Sequence, residues 1–405
     1  MSSGPRTLVI VLGLLLLLSP DVWPESSYRV LHSFGAEGDG AVPAGTLALG
    51  SDGALYGTTG GGDTGCKGGY SRGTIFELTK GLSGEWDEDI LYCFAGQYID
   101  GFPDSGLSID AQGNLYGTSA GGPNDLATVY QLMPAEGGWT LSLLYDLGAG
   151  PGVTLDKTGD IFGEMGIGKH KGGAMAELSP SLEGWVYTQL YSFCSEYDCK
   201  DGYEPLFPPI WDGAGDLFGT TYYGGVVGCS CGVAYEMTPK PTGKWEYHVL
   251  HRFGSFPKDG LGPAAGLAID SSGALYGNTV YGGPHKNGTI FKLAYIGGRW
   301  KETLLYGFPN CSIGCLPNGT MVFDQAGNLY GVNSGGMVCD GIGCGVVFKM
   351  TPQVNGTWRY SVVHKFNGED GAGPVGVIID EQGNLFGTTS RGGTYNAGVA
   401  FEITP

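Results

Sequence analysis

The sequence predicts an all-β fold, a seven-bladed β-propeller with four-stranded blades. Two observations carry this: a hairpin signature that recurs at blade-like spacing, and termini that each lack what the other supplies. Residues 110–117 read Asp-Ala-Gln-Gly-Asn-Leu-Tyr-Gly, and the pattern returns at 156–163, 212–219, 270–277, 324–331 and 380–387. A seventh, degraded copy spans 50–57, with Gly50 in place of the Asp. The Asp side chain can accept from backbone amides two residues on, and the Gly takes positive φ, so Asp-x-x-Gly joins two strands.

After each hairpin comes a Gly-rich loop and a strand of the form Gly-x-x-Phe/Tyr-x-Leu/Met, as at residues 73–79 and 345–352. A further strand opens on Trp86, Trp139, Trp185, Trp245, Trp300 or Trp358. Eight residues later it closes on Phe94, Leu147, Phe193, Phe253, Phe308 or Phe366. Its alternation is that of a half-buried strand. A loop, often Asp-Gly-x-x-Pro, and a fourth strand lead to the next hairpin. Four short strands with periodic Gly and aromatics mark a propeller blade. The first strand after the leader (residues 28–34) is a Trp-to-Phe strand standing alone, and the chain stops at Pro405 after a Gly-x-x-Phe strand. Pairing the two closes the ring and leaves no free sheet edge. The Pro-x-x-Gly-Leu-x-Ile-Asp strand is then innermost, where Gly106, Ser108, Gly266 and Ala268 suit a crowded centre. The loops before it, and those after Leu-Tyr-Gly, share one rim, the upper face.

Composition agrees with turn-rich β-structure. Gly accounts for 77 of 405 residues with an ordinary apolar fraction of 41%, which excludes collagen and argues against disorder. The net charge of −19 repels phosphate backbones and anionic lipid, so neither nucleic acid nor a membrane surface is an expected partner. Residues 1–24 read as a secretory signal peptide, with Arg6 before an apolar run from Leu8 to Leu18. Residues 25–405 form one propeller domain, secreted or in the cell envelope, with no stable membrane span. The ten cysteines read as disulfides in that setting. Cys66 and Cys93 lie in one repeat. Cys194, Cys199, Cys229, Cys231, Cys311, Cys315, Cys339 and Cys344 form close pairs that can bridge within or between loops. No zinc spacing is present.

The repeats from about Tyr28 to Pro405 resemble the Gloeo/Verruco (GloVer) tandem repeats of secreted bacterial proteins. The residues carrying this are Gly-Thr-Ile-Phe-Glu-Leu at 73–78, Gly-Val-Val-Phe-Lys-Met-Thr-Pro at 345–352, and the Asp-x-x-Gly-Asn-Leu-Tyr-Gly hairpins. The resemblance implies an exported repeat protein and transfers no catalytic residues. The third copy is eroded: residues 148–152 form a shortened loop, and Gly163-Glu-Met-Gly replaces Gly-Thr-Thr.

Candidate site residues sit on the upper face. Asp39, Asp100, Asp201, Asp259 and Asp370 begin Asp-Gly turns and read either as repeated turns or as a carboxylate ring for a polyol, a basic ligand or weakly held Ca²⁺. No other metal or cofactor is implied. The hairpin Asp residues read as structural. His32, His251 and His364 fill the place held elsewhere by Tyr92, Tyr145, Tyr191 and Tyr306, which marks an aromatic spacer rather than a ligand or base. Tyr222, Tyr223 and Tyr281 precede Gly-Gly and suit a carbohydrate or peptide platform, with loop packing as the other reading. Arg391 stands at the comparable place in the last blade, and His170 and His285 lie in upper loops. No nucleophile elbow, phosphate loop or His-Glu-x-x-His occurs. The sequence therefore leans towards a non-enzymatic module that binds an extracellular glycan or protein. A polysaccharide hydrolase or lyase is one alternative and a structural, adhesive surface protein the other.

Overall fold

The computed structural model describes residues 26–62, 72–96, 98–146, 148–336, 338–339 and 342–404. They form seven antiparallel sheets in a ring, a seven-bladed propeller. The signal-peptide expectation falls outside the described residues. No described helix is long and apolar enough to cross a membrane.

Blade 1 shows the plan. Its inner strand is followed by Leu55–Gly61, Thr74–Lys80 and the outer Trp86–Cys93. The hairpin Asp works as its spacing implies: Asp110 Oδ1 accepts from the amides of Gln112 and Asn114, each at 2.9 Å. In the degraded first copy Asp52 takes over, accepting from Ala54 N at 3.1 Å. The inner strand departs from expectation in three blades. It splits into Ala41–Pro43 and Ala48–Leu49, Phe102–Pro103 and Ser108–Ile109, and Gly260–Pro263 and Ala268–Ile269. In each, the first piece ends at a proline, which has no N–H to continue the ladder. Inner strands of adjacent blades approach closely at the axis. A Cβ on Gly45 would fall 1.9 Å from the backbone nitrogen of Gly106, so only glycine fits.

Every outer strand carries a bulge that the sequence did not announce. In blade 1 the register jumps between Ile75 and Phe76, so that Tyr92 and Ile90 face successive partners and Leu91 is the extra residue. The same jump occurs in the other six blades. A bulge re-aims the side chain that follows it, here the Tyr or His six residues after the Trp position.

The seventh blade is shared by the two ends. Ser27–Ser33 pairs antiparallel with Val399–Thr404, which continues through Leu385–Arg391 to Ala372–Ile379. Hydrophobic clusters lie between blades. Phe34, Phe76, Phe386 and Ala400 fill one that joins blades 7 and 1. Phe94, Phe193, Phe253, Phe308 and Phe366 anchor the equivalent clusters elsewhere, each fully buried. The phenylalanine that ends six of the seven outer strands is thus the mortar between wedges.

Three disulfides close within single upper loops: Cys194–Cys199, Cys229–Cys231 and Cys311–Cys315. Cys93 and Cys344 are also disulfide-bonded. The Cys66 side of the expected Cys66–Cys93 pair, and the Cys339 side chain, lie outside the described residues.

Candidate functional site

The upper rim consists of the loops entering each inner strand and those linking the two middle strands. The Asp-Gly carboxylates turn back into the wedges between blades. Asp201, fully buried, accepts from Tyr191 Oη at 2.7 Å and from the amides of Ser195 and Glu196 at 2.8 and 3.1 Å. Asp100 takes Tyr92 Oη at 2.7 Å and the amides of Ala95 and Gly96. Where the aromatic is histidine the contact is the same. His32 Nε2 lies 2.9 Å from Asp39 Oδ2, His251 Nε2 3.2 Å from Asp259 Oδ2, and His364 Nε2 3.0 Å from Asp370 Oδ2. This explains why Tyr and His exchange at that slot: each brings a flat ring with a polar tip to one carboxylate. Burial, with Asp201 close by, pushes the Tyr191 phenol well above its ordinary range. The five Asp residues thus occupy separate wedges and support the turn reading more than a shared ring.

The tyrosines do assemble. Tyr223 stacks on Tyr203 with centroids 5.2 Å apart, and Tyr222 packs edge-on to Tyr223 at 4.6 Å. Burial and then the neighbouring Tyr281 raise the Tyr222 phenol, while Tyr281 itself is 51% exposed. His170 and His285 are exposed on their loops. Arg391 joins the last two blades instead, its Nη2 3.4 Å from the carbonyl of Gly343.

Sequence reasoning passed over the neighbouring cavity. In blade 3, residues 163–166 replace Gly-Thr-Thr, and Glu164 stands where Thr58, Thr118, Thr220, Asn278, Val332 and Thr388 stand elsewhere. Most of those side chains are spent on the ring: Thr58 Oγ1 donates to Ser105 O at 2.6 Å, and Thr388 Oγ1 to Gly45 O at 3.2 Å. Glu164 instead lines a cavity of about 410 Å³ with Ile167, Lys171 and Glu204. Burial, followed by the charge of Glu204, pushes its carboxyl up to about 8. Small residues make the room: a Cβ on Gly150 would fall 2.4 Å from Glu164 Oε2. Lys171 and Glu204 both hold left-handed backbone, with φ of 62° and 55°, the kind of local strain that collects at functional sites. The cavity borders the aromatic rim: Glu204, in its lining, follows Tyr203, and the Glu204 carbonyl accepts from Tyr222 N at 3.0 Å. The available signal was the break in the repeat at Glu164, visible in the sequence as erosion.

Residues 205–405, about half the chain, match the family model described as the Gloeobacter/Verrucomicrobia repeat. No curated protein matches the sequence. A candidate 6-phosphogluconolactonase from Bacteroides uniformis superposes with a TM-score of 0.50 at 14% identity, covering 84% of this chain and 88% of that one. A second, from Bacteroides fragilis, gives 0.45 at 14%, covering 84% and 89%. A candidate oxidoreductase (glucose dehydrogenase) from Thermus thermophilus gives 0.47 at 15%, covering 94% and 100%. At such identity the first of these bears on the fold alone.

Proposed function

From the premise that this chain belongs, over residues 205–405, to the Gloeobacter/Verrucomicrobia repeat family, we propose a secreted, non-enzymatic module that binds an extracellular glycan at its upper rim. The observation that carries this is the cavity at Glu164 beside the tyrosine rim. A carboxyl held near 8 keeps its proton at neutral pH and donates to a sugar hydroxyl, as an ionised carboxylate cannot. Glu204 is exposed beside it and accepts. Tyr281 and Tyr223 offer ring faces on which the apolar side of a pyranose stacks, with the hydroxyls left free for hydrogen bonds. The loop disulfides suit an oxidising compartment.

The same two carboxyls favour a second reading. Glu164, which holds its proton, beside the exposed Glu204 carboxyl is the kind of pairing that a polysaccharide hydrolase or lyase uses as acid and base. One screen separates the two. Soluble and immobilised extracellular polysaccharides are incubated with the protein, and both retention and released reducing or unsaturated ends are scored. Retention without release supports the binding module. Release that disappears in Glu164→Gln supports the enzyme, and neither retention nor release contradicts both.

A further inference from the structure

Each wedge pairs the ring six residues after the Trp position of one blade with the residue two after the Trp position of the next. In four wedges two rings lie parallel: Tyr145 on Tyr187 at 5.0 Å, Tyr191 on Tyr247 at 4.0 Å, Tyr306 on Tyr360 at 4.5 Å and His364 on Tyr28 at 3.9 Å. In the blade 7–1 and blade 4–5 wedges the second ring is replaced by Glu88 and Glu302. Glutamate stands at this place only opposite a histidine, His32 or His251, and never opposite a tyrosine. Each of the two wedges therefore brings an imidazole, the Asp-Gly carboxylate and a glutamate within 4.8 Å of one another: His32, Asp39 and Glu88, and His251, Asp259 and Glu302.

The first trio is the less satisfied. The Asp39 side chain is only 5% exposed, yet its Oδ1 finds no donor among the described residues, and neither does Glu88 Oε1. Asp39 Oδ2 accepts from Gly35 N at 3.0 Å and faces His32, but one buried oxygen on each carboxyl is left without a donor, which is costly unless a positive charge lies between them. In the second trio both oxygens of Asp259 are already taken by backbone amides, Oδ2 by Ser255 at 3.0 Å and Oδ1 by Gly260 at 2.8 Å.

We propose that His32, Asp39 and Glu88 form a binding site for a first-row divalent cation of the zinc type, wedged between the first and last blades. Ligand atoms each roughly 2.0–2.2 Å from one ion lie roughly 2.9–3.5 Å apart, and His32 Nε2 is already 2.9 Å from Asp39 Oδ2. A neutral imidazole coordinates through the Nε2 lone pair, and the two carboxylates supply oxygen and charge. One imidazole with two carboxylates suits zinc better than calcium, which prefers six to eight oxygens. The net charge of −19 draws cations to the surface. Such an ion ties the N-terminal strand to blade 1, across the junction where the ring closes.

The test is calorimetric titration of tag-free, chelator-stripped protein with ZnCl₂, and with CaCl₂ in parallel. His32→Tyr removes the imidazole but restores the ring that four other blades carry, and Glu88→Gln removes one carboxylate at constant shape. Circular dichroism checks that both fold. Expected is a saturable zinc event, absent with calcium, weakened roughly ten-fold or more in each variant and unchanged in Glu302→Gln. No zinc event in the wild type, an event that survives either variant, an equal event with calcium, or loss in Glu302→Gln overturns the proposal.

Discussion

Val30 lies directly opposite Phe401 in an antiparallel pair, although 371 positions of sequence separate them. The contact joins the first described strand to the last and completes the seventh blade. Tyr28, two residues earlier, stacks on His364 at 3.9 Å and packs near Phe401 at 5.8 Å. The same short strand therefore supplies both the missing ladder and one wall of the wedge between blades 6 and 7.

Removing that strand tests the closure. A chain that begins at Phe34 leaves Val399–Thr404 as an exposed edge and strips the aromatic wall from its wedge. We expect a melting temperature lowered by roughly 10 °C or more, with aggregation visible by light scattering. Unchanged melting and a monomeric product would contradict a ring sealed by its ends.

Asp201 anchors the loop between blades 3 and 4. Its replacement by alanine leaves two backbone amides without acceptors in a buried wedge and takes one of two partners from the Tyr191 hydroxyl. Urea denaturation should show a loss of roughly 1–3 kcal/mol. Glu183→Ala, on an exposed hairpin, should stay within about 0.5 kcal/mol of the wild type.

Glu164 should give stability an unusual pH profile. Its carboxyl is raised from an ordinary value of 4.5 to about 8 in the folded protein, so the native state holds this proton more tightly than the unfolded chain does. The contribution is complete below about pH 4 and declines as pH rises through 8, the reverse of an ordinary ion-paired carboxylate. Glu164→Gln should therefore melt close to the wild type at pH 5 and roughly 2–5 °C above it at pH 9. Equal melting of the two proteins at both pH values would show that this carboxyl is not perturbed.

The tyrosine rim makes a separate prediction for ligand affinity. Tyr281→Ala and Tyr223→Ala should each weaken glycan retention several-fold on an array while leaving thermal stability within a few degrees. The exposed Tyr281 should be the cleaner case, since Tyr223 also supports Tyr203. If neither substitution changes any affinity, the platform lies elsewhere on the rim.

Much of the fold was readable because repetition multiplies weak signals. One Asp-x-x-Gly is a turn; six at blade spacing and a degraded seventh, with a spare strand at one end and a gap at the other, dictate a ring. What spacing cannot encode is which side chains of adjacent blades meet. His32 and Glu88 belong to different repeats and converge only through the curvature of the ring. The Asp-Gly residues and the Tyr/His slot were each recognised, yet their hydrogen bond was not, because the bulge in every outer strand redirects the ring towards the loop. Glu164 was legible as a departure from Gly-Thr-Thr, but erosion of a repeat reads equally as decay, and only the folded ring shows the cavity that the side chain lines.

The most direct measurement restores the repeat at that position. Glu164→Thr installs the residue that blades 1, 2, 4 and 7 carry at this place, so the variant should fold, and glycan retention is compared with the wild type on one array. The account predicts that retention is lost while the melting temperature at neutral pH is kept or raised. Retention undiminished in a folded Glu164→Thr protein would contradict it.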